Sequence, residues 1–461
     1  MSPARTRRPR RFAALAAAAT LVAGVTITAL APAAQAAAPP LVSAQSGRCL
    51  DVNGNSSTPG AGIQIWDCNG VAGQGWTLTS AGELRTFDGT RCLDALDWGT
   101  TPGTKLISWS CTGGANQRFA WGSNGSLVHQ QSRLCVDVTG SRTANGTPVA
   151  LWTCNGGANQ RWSASTSPAP TYPGPGTITG ATWAHDPTVV KRPDGSYLVA
   201  TTGRGIPLKT SSDRTSWTDV GAAFPNGTPW TSSYTTGDLW APDLSYLNGQ
   251  YYLYYSASTF GSMNSAIFLA TSPSGNPGTW TDRGKVVSTT GSSNYNAIDP
   301  DLVVDQQGRW YLSFGSWWSG LKVIAINPST GLRSGTSMTS IASRNGSGIE
   351  APDIYYRGGY YYLFASFDNC CKGAQSTYRI MVGRSTSVTG PYVDRNGTAM
   401  TSGGGTQILA GHGSIHGPGH SATLTDSDGS ILFYHYYTDA GDSRLGINRL
   451  GWDSAGWPVV S

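Results

Sequence analysis

Six cysteines set the first constraint. Cys49, Cys92 and Cys135 recur every 43 residues, and each stands 19 positions before a second cysteine: Cys68, Cys111 and Cys154. The neighbouring text repeats with them. Leu50-Asp51, Leu93-Asp94 and Val136-Asp137 follow the first cysteine, and Ile65-Trp66, Ser108-Trp109 and Leu151-Trp152 precede the second. Beyond it come Gln74-Gly75-Trp76, Gln117-Arg118-Phe119 and Gln160-Arg161-Trp162. A unit this short cannot bury a core alone, so three copies must pack together. One disulfide per copy adds about 3 kcal/mol by restricting the unfolded chain.

Paired cysteines suit an oxidising compartment, and the N-terminus agrees. Arg5, Arg7, Arg8, Arg10 and Arg11 precede an apolar run from Phe12 to about Leu30, then Ala34-Gln35-Ala36. This reads as a signal peptide over residues 1–36 and a secreted, extracellular chain. The run nears the ~18 residues of a membrane anchor, but it is mostly alanine with a cleavage pattern behind it. The chain has 31 Lys+Arg against 26 Asp+Glu, and five of those arginines fall in this segment. The remainder is balanced, which excludes the basic footprint of a nucleic-acid binder. Seventeen Trp and 20 Tyr suit neutral polysaccharide, and 60 Gly among few charges indicate tight turns and an all-β chain.

At these repeats the chain resembles the ricin-type lectins, carbohydrate-binding module family 13. The resemblance implies a β-trefoil over residues 37–165 with up to three sugar sites, and disulfides Cys49–Cys68, Cys92–Cys111 and Cys135–Cys154. Each family site uses the Asp after the first cysteine, the aromatic before the second and an Asn/Gln pair beyond. The third repeat has Asp137, Trp152, Asn155, Asn159 and Gln160. The first has Asp51, Trp66, Asn69 and Gln74, with Gly73 replacing an Asn. The second has Asp94, Trp109, Asn116 and Gln117, with Thr112 replacing an Asn. The third site is therefore expected to be strongest and the second weakest. The Gln residues, with Trp76, Phe119 and Trp162, read as framework.

Residues 166–177 carry Ser, Pro, Thr and Gly without charge and read as a semi-extended linker. Beyond it, over 178–461, a Gly opens an aromatic strand five times, at Gly195, Gly249, Gly308, Gly359 and Gly429. Pro187, Pro242, Pro300 and Pro352 stand seven or eight residues before the first four, and Gly417-Pro418-Gly419-His420 takes that place in the fifth. Five such copies predict a five-bladed β-propeller, with each X-Pro opening an innermost strand.

Matching places in successive blades share a radius and a height. Asp186, Asp299, Glu350 and His420 are thus expected to converge at one channel mouth, where crowding and burial raise at least one carboxyl pKa. One carboxylic acid and one carboxylate are what glycoside hydrolysis needs. Asp243, Asp301 and Asp353, after the prolines, are expected to face away from the axis as framework.

His185-Asp186-Pro187, Ala297-Ile298-Asp299-Pro300-Asp301 and Ile349-Glu350-Ala351-Pro352-Asp353 resemble glycoside hydrolase family 43. Phe314-Gly315-Ser316-Trp317-Trp318-Ser319-Gly320, Phe367-Asp368-Asn369-Cys370-Cys371-Lys372-Gly373 and Gly417-Pro418-Gly419-His420 resemble its endo-1,5-α-L-arabinanases. The resemblance implies an inverting hydrolase of internal arabinan bonds: Asp186 as general base, Glu350 as general acid, Asp299 tuning the acid's pKa. It also implies one calcium ion in the channel with His420 as ligand. Trp240, Trp317 and Trp318 are candidates to stack on arabinose rings. Cys370 and Cys371 are either a vicinal disulfide or two free thiols, and His185, His412 and His416 read as support for the site. The expected partner is arabinan or other arabinose-containing cell-wall polymer, bound by a monomer. The alternatives are an exo-acting arabinofuranosidase or β-xylosidase on the same fold and, more remotely, a non-catalytic adhesin.

Overall fold

A computed structural model describes residues 38–122, 124–143, 145–164 and 172–461. The segment read as a signal peptide lies outside the described residues, as do residue 165 and 166–171 of the linker. Among the described residues no helix is long and apolar enough to cross a membrane.

The N-terminal domain is a β-trefoil of twelve strands, four per repeat. Its first strand, Leu41–Ser43, pairs antiparallel with its last, Trp162–Ala164, and so closes the barrel. One core gathers equivalent residues from each copy, among them Leu50, Leu93 and Val136 and the rings of Trp76, Phe119 and Trp162. Trp76 and Trp162 also donate their indole N–H to the backbone oxygens of Leu50 and Val136. The three within-repeat disulfides are formed.

The second domain is the five-bladed propeller. The innermost strands are Thr188–Lys191, Trp240–Leu247, Asp301–Val304, Ile349–Arg357 and His416–Asp426, each heading a four-stranded antiparallel sheet, to which the first blade adds Thr179–Gly180 as a parallel outer strand. Each touches the innermost strand of the next blade, and the fifth touches the first, so the ring is closed. The sequence pattern explains the sheets. The glycine-led aromatic runs become the second strands, such as Gln250–Ala257 and Tyr360–Phe367, which are buried almost throughout. Strands covered on both faces read as continuous apolar runs for this reason.

The linker expectation needs trimming. Tyr172, its one aromatic, packs in the apolar cluster between blades four and five and accepts a hydrogen bond from Gln407 Nε2 at 2.7 Å. From Gly176 to Ala184 the chain is stitched to the last blade: Gly176 N–H bonds Ile447 O, and Leu445 N–H bonds Thr182 O. Free spacer therefore cannot extend past Tyr172.

The domains meet at a buried charge cluster. Asp67 of the first lectin repeat lies 2.9 Å from both Arg344 and Arg379 of the propeller. Both arginines also grip Asp368, at 2.8 and 2.7 Å. Burying charges this deeply is tolerable only because every one is paired.

Candidate functional site

Each innermost strand is entered through one residue in the left-handed region: Asp186 (φ 48°), Ala241 (46°), Asp299 (58°), Ala351 (53°) and His420 (51°). Non-glycine residues pay about 1–2 kcal/mol there, so each needs support. The support comes from the blade before. The N–H of Ala241 bonds Thr202 Oγ1 at 2.7 Å, that of Asp299 bonds Ser256 Oγ at 3.0 Å, and that of His420 bonds Ser366 Oγ at 2.7 Å. Asp186 N–H bonds His435 Nδ1 at 3.1 Å and closes the ring, while Ala351 N–H uses the Asp299 carboxylate at 3.1 Å. The sequence reading missed these supports. Their signal was present: Thr202, Ser256, Ser316, Ser366 and His435 each stand six to eight residues after the blade's glycine.

Glu350 stands one position before the bulge, as its place one residue further from Pro352 indicates. The residue matching Asp186 and Asp299 is Ala351; Glu350 matches His185, Trp240, Ile298 and Gly419. In blades two and four the strand register shifts at the bulge, between Trp240 and Asp243 and between Glu350 and Asp353. The residue at the bulge and the one before it both reach the channel mouth. There Asp186, Asp299, Glu350 and His420 line one cleft of ≈ 440 Å³. Trp240, Trp317 and Trp318 line it too, joined by Phe260, which is 83% exposed and was not anticipated.

The structure overturns the placement of Asp243, Asp301 and Asp353. They do not face away from the axis. They line a second, axial cavity of ≈ 310 Å³, walled by residues of all five innermost strands. Side chains two positions apart in a strand share a face, so Asp243, Asp301 and Asp353 follow Ala241, Asp299 and Ala351 toward the axis. They still tie blades together: Asp243 accepts from Leu302 N–H at 3.1 Å and Asp301 from Ile354 N–H at 3.0 Å. Asp353 accepts from Thr423 Oγ1 at 3.0 Å.

The three cleft carboxyls hold their protons differently. Burial pushes the Asp186 carboxyl up, but the nearby His185 and His420 outweigh it and hold it well below the usual carboxylate range. His420 Nδ1 lies 3.1 Å from Asp186 Oδ1, and Thr202 Oγ1 donates to Oδ2 at 2.6 Å. Burial and the neighbouring Asp299 charge push Glu350 up to about 8, although Ser316 Oγ donates to it at 2.7 Å. Burial lifts Asp299 to about 7 against the pull of His420. The site therefore pairs an ionised Asp186 with a protonated Glu350, the division of labour that acid–base catalysis requires. His435 is fully buried, and burial holds its ring well below its ordinary pKa, so its Nδ1 is free to accept the Asp186 N–H.

Cys370 and Cys371 are joined as a vicinal disulfide at the cleft wall, with Cys371 Sγ 3.7 Å from His185 Nε2. His185 supports the site as expected, 3.7 Å from Asp186. His412 and His416 do not line the cleft: one bonds Ala410 O and the other Asp439.

The calcium implied by the resemblance can be tested against His420, which lines both cavities. The buried Asp186 acts against desolvation to draw a proton onto the ring, lifting it to about 9. The carboxylates that draw a proton onto the ring would equally favour a cation in the proton's place, with the imidazole then neutral. In the axial cavity Asp353 Oδ2 and Ser421 Oγ are buried without hydrogen-bond partners, the oxygen donors a hard cation prefers. The residues present fit such an ion.

In the trefoil each expected Asp is buried and bonded to its own repeat. Asp94 Oδ2 accepts from Asn116 Nδ2 at 2.8 Å and Gln117 Nε2 at 2.7 Å, and Asp137 Oδ2 accepts from Asn159 and Gln160, both at 2.8 Å. Asn69 and Asn155 instead turn to their own loops, accepting from Val71 N–H and Gly157 N–H. Trp109 and Trp152 are 42% and 46% exposed, whereas Trp66 is partly buried.

Comparison with known proteins agrees with both architectures. Residues 179–458 match the model of the Glycosyl hydrolases family 43, and residues 38–162 that of the Ricin-type beta-trefoil lectin domain. The chain is 46% identical over 284 residues to a Bacillus subtilis protein named extracellular endo-α-(1→5)-L-arabinanase 1, covering 59% of this chain and 86% of that one. It superposes on a family 43 endo-arabinanase from Bacillus licheniformis with TM-score 0.58 and 46% identity, covering 61% of this chain and 99% of that one. It also superposes on an exo-1,5-α-L-arabinanase from a bovine ruminal metagenomic library, with TM-score 0.59 and 39% identity over 62% and 99% of the two chains. A family match over more than half the sequence, on a propeller whose blades gather these carboxyls, makes this chain a member of glycosyl hydrolase family 43.

Proposed function

We propose that this chain is an exported, inverting endo-1,5-α-L-arabinanase, acting as a monomer and held on arabinose-containing cell-wall polysaccharide by its lectin domain. One observation carries the reading: a protonated Glu350 and an ionised Asp186 share the floor of a cleft walled by aromatic rings. The names of the endo-acting relatives support the substrate.

Glu350 donates its proton to the leaving glycosidic oxygen as the C–O bond breaks. Asp186 takes a proton from the water that attacks the opposite face of the ring. Asp299 keeps Glu350 protonated, because its charge raises the acid's pKa. Asp186 is a carboxylate from well below the usual carboxylate range upward and Glu350 keeps its proton up to about 8, so a wide pH window between the two serves both roles. Trp240, Trp317, Trp318 and Phe260 offer faces for successive sugar rings. A calcium ion would be held by neutral His420 with Asp353 and Ser421, and would supply fixed positive charge beside the cleft. A chelator that leaves both activity and melting unchanged removes that assignment.

Product analysis on debranched arabinan tests the whole. A ladder of oligomers supports endo action. A single small product from the start gives the exo reading, for which the metagenomic exo-arabinanase is the precedent. Release of no sugar overturns the enzyme reading in favour of an adhesin. Proton NMR of the first product reports inversion or retention at the anomeric carbon.

A further inference from the structure

The lectin repeats match in sequence but differ in what their sites leave open. In the first repeat both carboxylate oxygens of Asp51 are occupied: Gln64 donates to Oδ1 and Gln74 to Oδ2, each at 2.9 Å. In the second and third repeats the framework donors all converge on Oδ2 of Asp94 or Asp137, and no described protein group bonds Oδ1. An open carboxylate oxygen is what a sugar hydroxyl needs.

The residue before the second cysteine differs in the same sense. It is Ser110 in the second repeat and Thr153 in the third, both exposed, but Asp67 in the first. Asp67 is the residue clamped by Arg344 and Arg379 of the propeller. Asn69 beside it is 2% exposed, while its counterparts Thr112 and Asn155 face solvent.

The second repeat has a further feature. At the left-handed position where the first repeat has Asn55 and the third Ser141, it has Trp98, 58% exposed. Trp98 packs over Gly114: a β-carbon there would lie 2.7 Å from Trp98 Cη2 and 2.5 Å from Asn116 Oδ1. Asn116 is 5% exposed, its Nδ2 is given to Asp94, and its Oδ1 is buried without a donor. The site thus combines two exposed tryptophans, an open carboxylate oxygen and an unpartnered buried acceptor. Aromatic faces with hydrogen-bond acceptors suit an uncharged sugar, and Arg118 beside the loop is tied to the backbone oxygens of Gly113 and Ala81.

We propose that the second lectin repeat is the dominant neutral-sugar site, with Trp98 and Trp109 as its aromatic surfaces, and that the first repeat has exchanged sugar binding for docking the lectin on the fourth blade. Thr112 is no defect, because its hydroxyl accepts the Gly114 N–H much as Asn155 Oδ1 accepts that of Gly157. The inference rests on the reading of the trefoil as a polysaccharide-binding domain.

The test uses the full chain and affinity gels containing arabinan or xylan. Trp98→Ala and Trp109→Ala should each weaken retention about tenfold, the scale of one lost aromatic anchor. Trp152→Ala should cost about threefold, Trp66→Ala less than twofold, and Trp98→Phe should keep most of the binding. Trp98 is exposed, so its variants stay folded, which an unchanged melting midpoint and unchanged hydrolysis of soluble debranched arabinan verify. Retention within twofold of wild type for Trp98→Ala overturns the proposal, as does a loss for Trp66→Ala equal to that for Trp109→Ala. A wild-type chain that no gel retains overturns the polysaccharide-binding reading itself.

Discussion

The two domains are both built by repetition, and they put it to opposite uses. The trefoil repeats a whole set of side chains: each copy has its own Asp, Trp and Gln, and the copies differ in what surrounds them. The propeller repeats only a backbone device. Five left-handed residues stand around one axis, and their identities, Asp, Ala, Asp, Ala and His, are combined into a single site that no blade holds alone. Losing one lectin copy should therefore leave the others working, whereas losing one blade's contribution should abolish catalysis.

The sharpest way to break that contrast is at Glu350. Glu350→Gln removes the transferable proton and should lower kcat/KM on debranched arabinan by roughly 10³-fold, with retention on arabinan gel unchanged. The pH profile gives the sign. Glu350 acts only while protonated, so the wild-type rate should fall as pH rises through about 8. Asp186, held well below the usual range, places the acidic limb far lower. A wild-type rate that climbs between pH 7 and 9 would assign the acid to another group.

The contrast can be sharpened where the domains meet. Asp67→Asn leaves Arg344 and Arg379 with a buried charge excess and should destabilise the chain by about 3 kcal/mol, read by urea denaturation. The wild type should show the matching pH dependence. The Asp67 carboxyl is buried, but the charges of Arg379 and Arg344 outweigh that and hold it far below its ordinary pKa. Its stabilisation is then complete above the unfolded value of about 4 and fades as pH drops below it. An Asp67→Asn chain that loses stability between pH 5 and 3 as steeply as wild type would exclude this pair as the cause.

These cases also mark how far the sequence could be read. Cys49, Cys92 and Cys135, and Pro187, Pro242, Pro300 and Pro352, announce both folds because they recur at fixed distances within one copy. The membership of Asp186, Asp299, Glu350 and His420 in one cleft follows from the same periodicity. The hydrogen bonds that hold the left-handed residues do not, because Thr202, Ser256, Ser366 and His435 share a place in the blade but no single residue type. Asp67 was equally silent, since its partners Arg344 and Arg379 lie 277 and 312 residues away. A contact between the two repeat systems has no period to betray it.

The smallest expected effects compare one bond chemistry in two settings. Each lectin disulfide spans 19 residues, while Cys370 and Cys371 are adjacent. In the loop-entropy account, opening a lectin disulfide by replacing both cysteines with Ser should cost about 3 kcal/mol, and opening the vicinal one only about 1 kcal/mol. The consequences should divide the other way. Cys135→Ser/Cys154→Ser should lower the denaturation midpoint and leave hydrolysis intact. Cys370→Ser/Cys371→Ser should barely move the midpoint yet raise KM, because that pair lines the cleft beside His185. If the vicinal variant instead loses stability like a lectin one while its KM stays put, then the bridge serves the fold and the cleft wall does not depend on it.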